Sequence, residues 1–162
     1  VDSVLIDEDG FTINELILDF ADLSGPSFYE VELSAKYVID NNSTSIWFRK
    51  NNDPIITSTG ILNYNPKTLI FTDKMFDGKH CSVKIYFATR TYAEYILKIS
   101  FRSVSESYYK YKERQFAYLF SLENDILSGM SEPINLYSNI MGGYGIFAGY
   151  STDEKLITIQ GK

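Results

Sequence analysis

At 162 residues, 44% of them hydrophobic and 22% charged, the chain is sized for a single hydrophobic core and is too apolar for a disordered tail. Fifteen Lys and Arg against 21 Asp and Glu give a formal charge of −6, a field that repels polyphosphate, so nucleic acid is not an expected partner. The lone Cys81 cannot form an internal disulfide, and no apolar run approaches the roughly 18 to 20 residues a bilayer-spanning helix needs.

Thirteen Tyr and 11 Phe against a single Trp suit pleated, half-buried surfaces. Near the N-terminus, Asp7-Glu8-Asp9-Gly10 reads as a solvated acidic stretch, because it lacks the oxygen spacing and closing Glu of an EF-hand loop. Phe11 to Phe20 predicts a strand whose alternation slips near Asn14 and Glu15, which a bulge would explain. After turn chemistry at Ser24 to Ser27, Tyr29, Val31, Leu33, Ala35, Tyr37 and Ile39 alternate with polar residues, the cleanest period of two in the chain. Ser45 to Arg49 predicts a short strand, Asn51 to Pro54 a loop, Leu69 to Thr72 another strand, and Phe76 to Lys79 a turn. Ser82 to Thr89 and Tyr95 to Val104 both alternate, and are expected to pair as a hairpin across Arg90 to Glu94.

The period then changes. Tyr108, Tyr111, Gln115, Leu119, Leu122 and Ile126 share one side of a helix expected at about 105–127, with Ser103 or Ser105 as its cap. Ser103 and Glu106 have capping-box spacing, and Gly129 follows the last turn. Beyond Pro133, a Gly142-Gly143 turn and strands at about Tyr144 to Tyr150 and Leu156 to Ile159 complete the chain, with Ile140, Ile146 and Phe147 able to cover the helix. The expected fold is mainly β, an antiparallel β-sandwich or open barrel with one long α-helix on a face or end, in one domain over residues 1–162.

Chemistry-bearing patterns are sparse. His80 is the sole histidine and sits beside the turn Asp77-Gly78-Lys79, with no strand-to-helix nucleophile elbow nearby. His80 and Cys81 supply two soft ligands where structural zinc takes four, so no metal, cofactor or catalytic residue is expected. Gly142-Gly143-Tyr144-Gly145 precedes a strand-like run, so no helix N-terminus is expected there to hold a phosphate. Tyr108, Tyr109, Tyr111, Tyr137, Tyr144 and Tyr150 form the richest aromatic set; beside core packing, such tyrosines suit protein or glycan contact.

The runs Ser105-Glu106-Ser107-Tyr108-Tyr109-Lys110-Tyr111, Glu132-Pro133-Ile134-Asn135-Leu136-Tyr137-Ser138-Asn139-Ile140 and Gly145-Ile146-Phe147-Ala148-Gly149-Tyr150-Ser151 resemble an uncharacterised family of Bacteroidota outer-membrane lipoproteins. Asp19-Phe20 leading to Phe28-Tyr29, and Asp73, Phe76, Asp77, Gly78 and Lys79, resemble its upstream features. The resemblance implies a lipid-tethered protein on the periplasmic or cell-surface side of the outer membrane, often encoded beside a TonB-dependent receptor and taking part in nutrient uptake. Members carry an additional N-terminal β-sandwich domain and a lipid-attachment cysteine, which implies that this chain is the C-terminal domain. The family's usual Asn in the late turn is replaced by Gly142.

The expected function is a non-enzymatic accessory domain that binds a TonB-dependent receptor or its cargo, with Tyr108, Tyr109, Tyr137, Asn139 and Tyr144 as binding candidates. It predicts an exposed aromatic patch. A glycan or peptide hydrolase would instead show a deep pocket with two close carboxylates or a polarised His80. A structural support domain for the N-terminal domain would show a flat apolar patch near Val1.

Overall fold

In a computed structural model describing residues 2–6, 11–39, 42–50, 52–59, 66–90, 93–128 and 134–160, the alternating sequences form two facing antiparallel sheets. One has the order β1 (Asp2–Ile6), β2 (Phe11–Ala21), β7 (His80–Arg90), β5 (Phe48–Arg49). The other has the order β4 (Ser43–Ser45), β3 (Phe28–Tyr37), β8 (Tyr95–Val104), β9 (Tyr150–Ile159), and β6 (Thr68–Thr72) pairs with β3 beside β4. The two sheets do not close into a barrel and face one another in a β-sandwich-like arrangement, as the mainly antiparallel β expectation has it.

Alternation fixes what lies between the sheets. Tyr29, Val31, Leu33, Ala35 and Tyr37 of β3 and Leu97 and Ile99 of β8 face Leu16 of β2 and Val83, Ile85 and Phe87 of β7. Each large side chain removed from water in this way contributes about 1.5–3 kcal/mol. At one end the core is aromatic: the Phe20 ring lies 4.8 Å from Phe101 and 5.0 Å from Tyr29.

Several local expectations are corrected. The slip at Asn14 is not a bulge, since β2 and β7 pair without interruption from Phe11 opposite Arg90 to Ala21 opposite His80. Asn14 is a buried inward residue whose amide donates to Thr89 Oγ1 (2.9 Å) and to the Thr12 carbonyl (3.1 Å). The register irregularity falls instead in β1, between Ser3 and Leu5. Strands β7 and β8 are not a hairpin: β7 pairs with β2 and β5, and β8 with β3 and β9. Each keeps its predicted inward face, but the two faces oppose each other across the core.

The segment at 45–49 is divided between the sheets as β4 and β5. The expected loop leads at its last residue into a short helix, α1 (Pro54–Thr57), which forms because Asp53 Oδ1 accepts the Ile55 N–H at 2.9 Å and Pro54 needs no donor partner in the first turn. The long helix is α2 (Glu106–Ser128), and Ser105 caps it, its hydroxyl accepting from the Tyr108 N–H at 3.4 Å. Ser103 lies in β8 opposite Tyr29, so the capping box is not made.

The first turns of α2 meet the outer face of the second sheet, where Tyr109 packs on Phe28 at 5.1 Å. Further along, Tyr118, Leu119 and Phe120 remain exposed. The strand expected at Tyr144 to Tyr150 begins only at Tyr150; residues 144–149 are loop, and Ile140 and Phe147 are exposed rather than packed over the helix. Asp7 to Gly10, Asn51, Gly129 and Pro133 lie outside the described residues.

Candidate functional site

Residues 134–149 leave the helix region and return to the sheet as a braced loop. Asn139 makes the brace: its Nδ2 donates to the Phe147 carbonyl and its Oδ1 accepts the Phe147 N–H, both at 2.8 Å. Its own N–H donates to the Gly145 carbonyl at 3.2 Å. Gly142 and Gly145, at φ of 73° and 133°, take the left-handed geometry that closes the turn within this clasp. The far end is tied to the helix start, with the Ser105 N–H donating to the Gly149 carbonyl at 2.9 Å.

The brace satisfies backbone groups locally and leaves the large side chains outside. Met141 is 99% exposed, Phe147 84%, and Tyr144 is fully exposed, with Tyr150, Leu136 and Ile140 partly so. Single exposed apolar side chains are ordinary; here several stand on one short, internally bonded loop.

Beneath the start of α2 lies a charged cluster. Glu30 of β3 has 0% exposure, and its carboxylate receives Arg102 Nη1 at 2.6 Å, the Tyr108 hydroxyl at 2.8 Å and the Lys112 ammonium at 3.6 Å. Arg102 also reaches Glu32 at 2.8 Å. Burial opposes the Arg102 charge, but the hydrogen bonds to Glu30 and Glu32 outweigh it and hold the guanidinium above its ordinary pKa. Burial, aided by the Glu30 carboxylate, also raises Tyr108 well above an ordinary tyrosine. This cluster fastens helix to sheet.

A second group gathers at the sandwich end. Oxygens of Asp22, Asp73 and Asp77 lie within 4.8 Å of one another, the converging carboxylate set that could hold a cation among the described residues. Each is engaged by the surrounding loops: Asp22 by the Gly78 N–H (2.8 Å) and the Tyr29 hydroxyl, Asp73 by the Ser27 N–H (2.7 Å), and Asp77 by the Gly25 N–H (2.8 Å). Burial and Asp22 push the Tyr29 phenol up to about 12. His80 lies near this group, exposed at the start of β7.

The five sequence candidates therefore hold different places. Tyr108 is bonded to Glu30, Tyr109 is packed on Phe28, and Tyr137 is half-buried with the Lys110 ammonium 6.0 Å from its ring. Asn139 is the loop's brace, and Tyr144 stands at its tip. Sequence reasoning missed Met141 and Phe147, since nothing in their spacing separates a solvent-facing apolar residue from a core one.

No curated protein and no solved structure matches the chain. The chain does match a family of domains of unknown function, DUF4249, over residues 5–156. That span takes in most of both sheets, the helix and the braced loop, and the chain belongs to this family.

Proposed function

We propose that this is a non-enzymatic docking domain of a lipid-anchored outer-membrane accessory protein, which engages a TonB-dependent receptor or its cargo through the loop at residues 136–150. One observation carries the reading: Asn139 holds the loop in a fixed shape that presents Met141, Tyr144 and Phe147 to solvent. A loop already ordered before contact loses less conformational freedom on binding, and large aromatic anchors dominate the energetics of protein interfaces. The receptor as partner is supported by the resemblance to Bacteroidota lipoproteins encoded beside such receptors.

The test is detergent co-purification of the natural full-length protein from its own membrane. Recovery of the neighbouring TonB-dependent receptor in a stoichiometric complex is expected. A clean preparation without receptor would overturn the reading and favour an independent binding or hydrolytic role.

A further inference from the structure

Strand β5 meets β7 only at Phe87 and Tyr86, and beyond that point the chain running from β4 to β5 passes beside the last residues of β7. A cleft of about 630 Å³ opens there, within the ~300–1,000 Å³ usual for ligand sites. Alternation sets its lining. Thr89 and Phe48 are buried inward residues, so Ala88 and Arg90 of β7, with Trp47 and Arg49 on either side of Phe48, fall on the outer face of the sheet. Phe11, opposite Arg90 on β2, joins them. Trp47, the sole tryptophan, is 51% exposed and Phe11 39%. Asn42, Thr44 and Ser45 also line the cleft and are exposed. Buried Tyr37 anchors Arg90, its hydroxyl accepting the Arg90 N–H at 3.5 Å and its ring centroid lying 4.9 Å from the guanidinium.

The local charge opposes that of the chain. The net charge is −6, yet the charged residues among the described lining are Arg49 and Arg90. Glu15 lies in the neighbouring row, across Tyr86 from Arg49, and is engaged by the Tyr86 hydroxyl at 2.6 Å and the Lys84 ammonium at 3.9 Å. Lys67, outside the lining, adds a cation 4.8 Å from the Trp47 ring centroid. A guanidinium carries several N–H donors in one plane, so contacts made within the protein leave others for a ligand. We propose that this cleft binds an acidic saccharide, with a sugar ring laid on Trp47 and a carboxylate held by Arg49 or Arg90. A pyranose has a C–H face that packs on an aromatic ring and a rim of hydroxyls that Asn42, Thr44 and Ser45 can meet. A uronate adds the carboxylate that guanidinium groups bind in bidentate fashion. The site does not rest on the docking loop. Tyr150, where that loop ends, pairs with Val104, whereas Tyr37 pairs with Tyr95 at the other end of β8.

The test is calorimetric titration of the 162-residue chain, and of the natural full-length protein, with tetrasaccharides of galacturonate, glucuronate, mannuronate and guluronate. Methyl-esterified forms keep the sugar rings and remove the charge, and tetraglutamate supplies carboxylates without sugar rings. Emission from Trp47, the sole tryptophan of the 162-residue chain, is followed in parallel. The expected result is saturable binding of at least one uronate tetrasaccharide by both proteins, with a change in Trp47 emission. Its ester and tetraglutamate should each bind at least about tenfold more weakly. Trp47→Ala should weaken binding about tenfold or more while the circular dichroism spectrum is unchanged. Arg49→Gln and Arg90→Gln should each reduce the preference for acid over ester, a ratio that a merely structural role would not move. No binding of any of these uronates, equal binding of acid and ester, equal binding of tetraglutamate, or unchanged affinity in Trp47→Ala would overturn the proposal. So would binding by the 162-residue chain but not by the full-length protein, since the cleft would then be covered in the natural molecule. The assay contains no receptor, so its failure leaves the loop reading intact, and a failed co-purification leaves the saccharide site intact.

Discussion

The Tyr108 hydroxyl donates across 2.8 Å to Glu30, a carboxylate with no exposed surface, and so joins the first turns of α2 to the outer face of β3. Removing that donor by Tyr108→Phe should cost about 1–3 kcal/mol. Arg102→Met should cost more, about 3–5 kcal/mol, because it strips the buried carboxylate of its 2.6 Å partner. Combining Glu30→Met with Arg102→Met should recover much of the loss, since neither charge is then left alone. Urea unfolding of these variants and of Glu30→Met alone reads these differences, and additive losses in the double variant would show that the two groups do not depend on each other.

Asn139→Ala removes both 2.8 Å bonds to Phe147 and should loosen the loop without touching the core. The Phe147 amide should exchange faster, the thermal midpoint should change little, and partner affinity should fall by about fivefold or more as the loop's order is lost. Asn139→Asp keeps the acceptor for the Phe147 N–H and loses the donor to its carbonyl, so it should lie between the two. A large drop in midpoint for Asn139→Ala would mean that the loop supports the fold.

Much of the fold follows from simple periodicity. The alternation in β3, β7 and β8 predicted their inward faces correctly, and the change to helical spacing after Val104 located α2. Alternation does not name a strand's neighbours, which is why β7 and β8 looked like a hairpin while pairing in opposite sheets. Asn14 looked like a break because its partner, Thr89, lies 75 residues away and no local pattern reveals it. The braced loop was hidden for a related reason: Phe147 has the residue type of a core position, and only the Asn139 clasp and the route back to β9 turn it outward.

Two buried acids should weaken the fold in alkali. Burial and Asp22 push Tyr29 from 10.0 up to about 12, while burial and then Asp53 and Asp22 push Cys81 from 9.0 up to about 11. Both raised values favour the protonated folded form, so their contribution is complete below the unfolded values, declines as pH passes 9.0, and is gone once the folded values are passed. Urea midpoints should be flat around neutrality and fall between about pH 9 and pH 12. Folded protein should also react slowly with a thiol reagent at Cys81, and fast labelling below the unfolding midpoint would contradict this burial.

The trio Asp22, Asp73 and Asp77 acts as a loop tie, because its oxygens already accept Gly78, Ser27 and Gly25 N–H groups. Calcium or a chelator should leave the thermal midpoint unchanged. A cation held at 100 times its dissociation constant would add about 2.7 kcal/mol, so a rise of several degrees would identify a cation site instead. Asp22→Asn should destabilise in either case, through the Gly78 N–H and Tyr29 hydroxyl that share its carboxylate.

A photo-reactive side chain placed at Tyr144 should capture the partner if the braced loop docks it. Tyr144 is fully exposed on the loop, and Thr158, exposed near the far end of β9, is the control position. In cells making the full-length protein, adducts with the TonB-dependent receptor at position 144 and none at 158 are the predicted result. Receptor adducts at 158 alone, or at neither position, would contradict it.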